Sequence, residues 1–110
     1  MNSAIGKHKT TVTSQDGIIK IKYHYTDVVT IDNNTSKITL DHGGWRTLTT
    51  KTRMNQTSNE YGLGFRVYQK DFNWFVERIN GDVIAWEDDA GKTCNHITFL
   101  NLARLANRSV

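Results

Sequence analysis

The chain contains 110 residues, with 14 basic and 11 acidic side chains and a formal net charge of +3. This length is typical of one domain and too short for two packed cores, so we predict a single domain over residues 1–110. Cys94 is the only cysteine, which excludes an internal disulfide and fits a reducing compartment. No stretch approaches the roughly eighteen consecutive apolar residues of a membrane span. The sequence therefore predicts a cytoplasmic protein that does not contact membranes.

The first half of the chain alternates apolar and polar residues as strands do. Between residues 19 and 25 the apolar side chains alternate with lysines and a histidine, which predicts a strand with one buried face. Asp16-Gly17 is a hairpin turn signal, and a two-residue loop there places Val12 opposite Ile21. A second pair of alternating runs follows, at residues 29–31 and 38–40. We therefore predict four strands before Trp45.

The segment Gly43–Gly62, GGWRTLTTKTRMNQTSNEYG, interrupts this alternation and is polar and basic. Threonines near its start are able to cap a helix, and Gly62 is able to end one, so we predict a short helix between Thr47 and Asn59. Threonine and asparagine are poor helix formers, and an ordered loop with one helical turn is the alternative.

Residues Gly64–Glu87 are predicted to form a three-stranded meander. Its turns are placed at Asp71-Phe72 and at Asn80-Gly81, a pair typical of a type I′ hairpin. Two-residue loops at both turns would bring one apolar set onto a single face. That set, which we predict to face the core, comprises Phe65, Val67, Trp74, Val76, Val83 and Ala85.

The C-terminal part predicts one more strand and a helix. Residues Cys94 to Thr98 fit a strand, and Phe99, Leu102, Ala103 and Ala106 follow helical spacing. The fold class is therefore α+β: a small antiparallel β-rich domain of about seven or eight strands, as a sheet or partly open barrel, with one short central helix and a C-terminal helix.

The helical segment is the first candidate binding surface, because it is rich in hydrogen-bond donors and has no carboxylate before Glu60. Hydroxyls, amides and arginines suit an anion such as a phosphate. The alternative is that these side chains merely satisfy local backbone groups. The residues concerned are Arg46, Thr47, Thr49, Thr50, Lys51, Arg53, Asn55 and Gln56.

The outer face of the meander is the second candidate. The predicted register places Tyr68, Phe75 and Trp86 in a row across three strands, with Arg66 and Lys70 nearby. Flat rings beside cations are what single-stranded nucleic-acid binders use for stacking and backbone contact. The alternative is that the C-terminal helix packs on these rings and buries them as a second core layer.

Catalytic and metal chemistry have little support in the sequence. The four histidines and Cys94 do not stand at the spacings of a zinc motif, and no nucleophile elbow or phosphate-binding loop occurs. Glu77 with His24 or Arg66 would imitate a small ribonuclease only weakly. We therefore assign no catalytic residue, no metal and no cofactor.

Within the run from Asp27 to Val76, and most specifically in GGWRTLTTKTRMNQTSN, the sequence resembles a family of small uncharacterised proteins of tailed bacteriophages. The resemblance implies that the protein comes from a phage, and it assigns no catalytic residues. It implies a role inside the infected bacterial host, where small phage proteins often bind and block a host factor.

These observations favour binding over catalysis. The first hypothesis is a non-enzymatic phage accessory protein that inhibits or redirects a host protein or nucleoprotein, a defence nuclease being one candidate target, through the surface near Arg46, Lys51 and Arg53. These three cations are expected to be replaceable without loss of the fold. The alternatives are a binding module for single-stranded nucleic acid or a nucleotide and, with the least support, a small hydrolase or nuclease. The sequence leaves the oligomeric state open.

Overall fold

The structure, a computed structural model, describes residues 9–44, 47–71, 73–86 and 96–108. Within these ranges, eight strands form two open antiparallel sheets and two helices complete the fold, which confirms the predicted α+β class. The first sheet has the order β1-β2-β3-β4-β8 and the second has the order β5-β6-β7. The elements are β1 (Thr10–Gln15), β2 (Ile18–Tyr23), β3 (Thr26–Asp32), β4 (Lys37–Asp41), α1 (Leu48–Tyr61), β5 (Arg66–Lys70), β6 (Asn73–Glu77), β7 (Val83–Ala85), β8 (His96–Leu100) and α2 (Leu102–Arg108).

The β1–β2 hairpin has the predicted turn and register. Val12 lies opposite Ile21, and the two loop residues, Asp16 and Gly17, have φ angles of 55° and 81°. Two consecutive positive φ angles match the twist that a two-residue hairpin needs. Val12 itself remains 46% exposed, so the hairpin extends beyond the core that Ile21 enters.

The inner face of the five-stranded sheet is the apolar half of the predicted alternation. Val29 lies opposite Leu40 and Ile31 opposite Ile38, and all four are buried. The β2–β3 register shifts next to Ile21, and this bulge leaves both Val28 and Val29 buried.

Helix α1 lies against this face and against β5. Thr47 caps its start by accepting a hydrogen bond from the Thr50 backbone N–H at 3.2 Å, and Gly62 ends it with a left-handed φ of 63°. Met54 is fully buried in the core between helix and sheets. Thr47 was one of three threonines predicted as possible caps, with Thr49 and Thr50, and the stop at Gly62 is confirmed. The alternative of a loop with one turn is wrong.

The β5–β6 hairpin confirms one half of the predicted meander. Val67 lies opposite Val76, and Phe65, Val67, Trp74 and Val76 are all buried. This apolar face completes a single core that both sheets share.

The predicted β6–β7 register is wrong by one residue. Val76 lies opposite Ile84, because the loop has three residues: Gly81 donates to the Arg78 carbonyl, and the Arg78 N–H donates to the Asp82 carbonyl. Gly81 has a φ of 91°, whereas Asn80 is not among the residues with positive φ. The turn is therefore a type I turn followed by a glycine bulge, and the predicted type I′ turn is wrong.

The register change exchanges the faces of β7. Val83 and Ala85 are exposed beside the outer face, whereas Ile84 packs against the core. Trp86 donates its backbone N–H to the Trp74 carbonyl and is only 3% exposed. The placement of Val83 and Ala85 in the core, and of Trp86 on the outer aromatic row, is therefore wrong.

The C-terminal elements are shifted along the chain from the predicted positions. Strand β8 pairs with β4 and contains Phe99, which is buried opposite Ile38 and is not part of the helix. Cys94, the predicted start of this strand, lies outside the described residues. The first turn of α2 places Arg104 beside Asn33 and Tyr61, at the five-stranded sheet and the end of α1. The alternative in which this helix packs on the aromatic row of the meander is therefore not observed in the described part of the chain.

Neither described helix combines the length and the apolar character that a membrane crossing requires.

Candidate functional site

The threonines at the start of α1 are used by the helix itself. The hydroxyls of Thr47 and Thr50 lie 3.0 Å apart, and Thr50 is 1% exposed. Thr49 is half-buried on the first turn, and Arg46 lies outside the described residues. The helix cap thus uses two of the hydroxyls that were predicted to bind an anion.

Asn55 and Ser58 bind the free edge of β5. The Asn55 side chain donates to the Val67 carbonyl at 2.9 Å and accepts from the Val67 N–H at 2.7 Å. Ser58 does the same for Phe65, donating at 2.7 Å and accepting at 3.0 Å. Four backbone hydrogen bonds that a neighbouring strand would supply come from two helix side chains, which protects this sheet edge.

Arg53 joins α1 to the first hairpin. It is 9% exposed, its Nε donates to Thr10 Oγ1 at 2.9 Å, and its Nη1 donates to Gln56 Oε1 at 3.3 Å. The guanidinium also lies 5.5 Å from the centre of the Tyr23 ring. A buried arginine held in this way is part of the helix–sheet packing. We therefore no longer expect it to be replaceable without a cost in stability.

Lys51 is the remaining described cation of the predicted helix surface. Its Nζ donates to Gln69 Oε1 at 3.0 Å and lies 5.5 Å from the centre of the Trp74 ring. The half-buried side chain covers the edge of the core near β5. The structure thus places Lys51, Arg53, Asn55 and Gln56 in contacts within the chain and does not gather them around one pocket.

The outer face of β5 and β6 carries a different arrangement. The rings of Tyr68 and Phe75 are stacked, with centroids 5.4 Å apart and an interplanar angle of 25°. The Arg66 guanidinium lies 4.7 Å from the Tyr68 centroid and forms an ion pair with Glu77 at 2.9 Å. We call these four residues the aromatic face.

The aromatic face is exposed at its rim and half-buried at its centre. The side chains of Arg66 and Glu77 are 63% and 40% exposed, and Tyr68 and Phe75 are intermediate. Lys70 is exposed at one end, and Val83 is 49% exposed at the other. The predicted pairing of Tyr68 with Phe75 and the nearness of Arg66 are thus present, with Val83 and Ala85 of β7 where Trp86 was expected.

Trp86 instead belongs to an internal aromatic cluster that sequence reasoning missed. The His42 ring lies 5.6 Å from Trp74 and 5.3 Å from Trp86, and the two tryptophans meet edge to face at 5.6 Å. His42 Nδ1 accepts the Gly44 N–H at 3.0 Å, which fixes the glycine turn. The pairing depends on contacts between the two sheets, so no local signal in the sequence indicates it.

A cleft of about 320 Å³ opens next to this cluster, between the β2–β3 turn and the start of α1. Tyr25 on its rim is 97% exposed. Gly43 approaches Thr26 so closely that any side chain at position 43 would collide with the threonine. The glycine is therefore explained by packing, without a bound ligand.

Metal chemistry gains no geometric support. Across residues 9–44, 47–71, 73–86 and 96–108, no three side chains of the His, Cys, Asp and Glu types are placed to hold a metal ion.

Comparison with known proteins gives a family and no further relative. No curated protein and no solved structure matches the chain significantly. Residues 1–101 match the family described as Kyanoviridae Gp96 protein, so the match extends well beyond the segment that suggested a phage origin. The chain therefore belongs to the Kyanoviridae Gp96 family of phage proteins.

Proposed function

We propose that this phage protein acts without catalysis, by binding a host protein through the aromatic face, and that binding inhibits or redirects that protein in the cytoplasm of the infected bacterium. The observation that carries the proposal is the stack of Arg66, Tyr68 and Phe75 on the outer face of a sheet. Arginine and tyrosine are enriched among the residues that dominate protein–protein binding energy. A defence nuclease is one class of host protein that such a surface would serve.

The composition of the aromatic face supports a protein partner over a nucleic acid. The Tyr68 ring already contacts Phe75 and Arg66, so less of its surface is available for a base. Glu77 lies beside Arg66 and would repel a phosphate backbone. A mixed-charge rim around apolar rings suits a protein surface of complementary charge.

The contacts of the α1 side chains also support a binding surface that lies away from this helix. The helix side chains first considered for binding form contacts with β1, β2 and β5, whereas the aromatic face is turned away from the core. A partner that docks on β5–β7 would gain the exposed Val83 and Lys70 as rim contacts.

Site-specific photocrosslinking tests the proposal in host cells. A photoreactive phenylalanine analogue replaces Phe75 in one variant and the exposed Lys22 of β2 in a matched control. We expect the Phe75 variant to give an adduct with one host protein, and we expect that adduct to be absent from the Lys22 variant. Adding Arg66→Ala to the crosslinking variant should lower the yield by about tenfold, the loss that one interface anchor produces.

Three outcomes would contradict the proposal. A crosslink only to a second copy of the chain would make the aromatic face a self-association surface. A crosslink to nucleic acid, lost as the salt concentration rises, would establish the alternative of a single-stranded nucleic-acid binding module. Equal adducts from positions 75 and 22 would show that the face has no specific role.

A further inference from the structure

A second cavity lies at the other end of α1 and is lined by residues from the end of α1, the five-stranded sheet and α2. Its volume is about 360 Å³, and Ile19, Ile31 and Leu63 form its apolar wall. Gly62 and four polar residues, Asn33, Tyr61, Asn101 and Arg104, complete the lining. The cavity therefore combines an apolar wall with a group of side chains that donate hydrogen bonds.

Arg104 is the cation among the described residues that line this cavity, and no described carboxylate pairs with it. Its Nε is buried and has no hydrogen-bond partner among the residues that the structure describes. Arg104 forms no ion pair with a carboxylate of the described residues, and none of the described residues that line the cavity is acidic. A partly buried guanidinium without an anion is unfavourable, because its desolvation is not compensated.

Asn101 supplies a second donor at the same place. It is 3% exposed, and its side-chain oxygen accepts the Arg104 backbone N–H at 3.1 Å, which directs that oxygen toward α2. Its amide nitrogen donates to no residue that the structure describes. An amide donor that the described residues leave unused lies on the same cavity as a guanidinium with no carboxylate partner among them, and both groups are able to donate hydrogen bonds to oxygen atoms of a ligand.

We propose that this cavity binds a small oxyanion, the phosphate or carboxylate group of a compact ligand, held by the Arg104 guanidinium and the Asn101 amide. Tyr61, which is 38% exposed, also lines the cavity, and its hydroxyl is a further hydrogen-bond donor. The uncharged part of the ligand contacts the apolar wall formed by Ile19, Ile31 and Leu63. Guanidinium and amide groups commonly donate hydrogen bonds to phosphate and carboxylate oxygens. This site is independent of the aromatic face.

A purely structural role for Arg104 makes a different prediction. The cavity lies beside Tyr61 and Gly62, where the carbonyl groups at the end of α1 carry partial negative charge. If Arg104 only balances this charge, its replacement lowers stability and no anion binds. If the cavity is a ligand site, an anion binds saturably and raises the stability of the native chain.

Titration of the full-length protein with inorganic phosphate, and separately with acetate, tests the proposal by following backbone amide chemical shifts. We expect saturable shifts at Gly62, Asn101 and Arg104 with at least one anion, and the tighter anion identifies the class of the ligand. Arg104→Ala should weaken binding by at least about tenfold, since it removes a charge-assisted hydrogen-bond donor. Lys22→Ala, which removes an exposed charge on β2, is the control and should leave the affinity unchanged.

Asn101→Ser separates binding from folding. Serine retains an oxygen that accepts the Arg104 N–H and starts α2, but it lacks the amide donor. We expect this variant to keep the shifts of distant amides and to bind the anion several-fold more weakly, as the loss of one hydrogen bond predicts. The absence of saturable shifts in the native chain, or equal affinity in native chain and Arg104→Ala, would overturn the proposal.

Discussion

Helix α1 and the aromatic face are both rich in polar and aromatic groups, but the structure uses them in opposite ways. On α1, Asn55, Ser58 and Arg53 turn toward the chain itself and bind the edge of β5 and the first hairpin. On the aromatic face, Arg66 and Tyr68 turn away from the core, and the described residues that they contact there, Phe75 and Glu77, lie on the same sheet.

A high density of hydrogen-bond donors in a sequence therefore does not by itself identify a binding surface. An edge strand leaves N–H and C=O groups that need partners, and a nearby polar helix is one way to supply them. The unusual composition of α1 follows from this structural demand. A binding role is better sought where polar groups remain after the backbone of the chain has been satisfied.

The largest loss of stability is expected when Asn55 of α1 is replaced. Asn55→Ala leaves the N–H and C=O of Val67 without partners on the edge of β5. We expect the free energy of unfolding to fall by about 3 kcal/mol, measured by chemical denaturation. Asn59→Ala, at an exposed position of the same helix, is the control and should change it by less than about 0.5 kcal/mol. Similar losses of stability in Asn55→Ala and Asn59→Ala would contradict the explanation that the polar side chains of α1 stabilise the edge of β5.

A smaller effect is expected at Arg53. Arg53→Met keeps much of the apolar stem but removes the hydrogen bonds to Thr10 and Gln56. The free energy of unfolding should fall by about 2 kcal/mol, because a charged donor is lost at a nearly buried position. In contrast, Arg66→Met on the exposed aromatic face should cost less than about 1 kcal/mol. An unchanged free energy of unfolding in Arg53→Met would show that Arg53 is not needed for the packing of α1 and is available to bind a ligand.

The turn between β6 and β7 sets which residues reach the outer face, and Gly81 tests it. A side chain at position 81 meets open space, but the φ of 91° is unfavourable for any residue other than glycine. Gly81→Ala should therefore lower the free energy of unfolding by about 1 kcal/mol. Asn80→Ala should cost less than this, because Asn80 does not have the positive φ that the predicted type I′ turn requires. The two hydrogen bonds of its side chain with Asp82 are exposed to solvent, and water is able to replace them. A larger loss at Asn80 than at Gly81 would contradict the observed turn.

The smallest effect on stability is expected at the aromatic face. Phe75→Thr replaces the ring with a residue that suits a strand, and it should lower the free energy of unfolding by no more than about 1 kcal/mol, the value of an aromatic pair. The same change should remove binding of the host protein identified by crosslinking. Retained binding would locate the interface elsewhere, and a large loss of stability would show that the ring is structural.

Local rules predicted much of the fold. The Asp16-Gly17 turn and the stop at Gly62 are set by neighbouring residues, and both were predicted correctly. The cap at Thr47 was predicted only as one of three candidate threonines. The β6–β7 turn was not predicted correctly, because Asn80-Gly81 is compatible with two loop lengths, and the burial of Ile84 and Trp86 favours the longer one.

The candidate sites were harder to predict than the strands. The contact of Asn55 with Val67 spans twelve positions, and that of Arg53 with Thr10 spans forty-three. The roles of these side chains therefore depend on the placement of α1 between the sheets, which the local pattern does not specify. The stacking of Tyr68 on Phe75 was predictable, because it follows from the register of one short hairpin.

Amide hydrogen exchange at Val67 measures most directly whether the polar side chains of α1 serve the chain's own backbone. Strand β5 is an edge of its sheet, and without a partner its outward N–H groups would exchange quickly. We predict that the amides of Phe65 and Val67 are strongly protected in the native protein, and that Asn55→Ala reduces the protection of Val67 more than that of Phe65, which Ser58 still holds. Rapid exchange at Val67 in the native protein would contradict the account and make Asn55 available to a ligand.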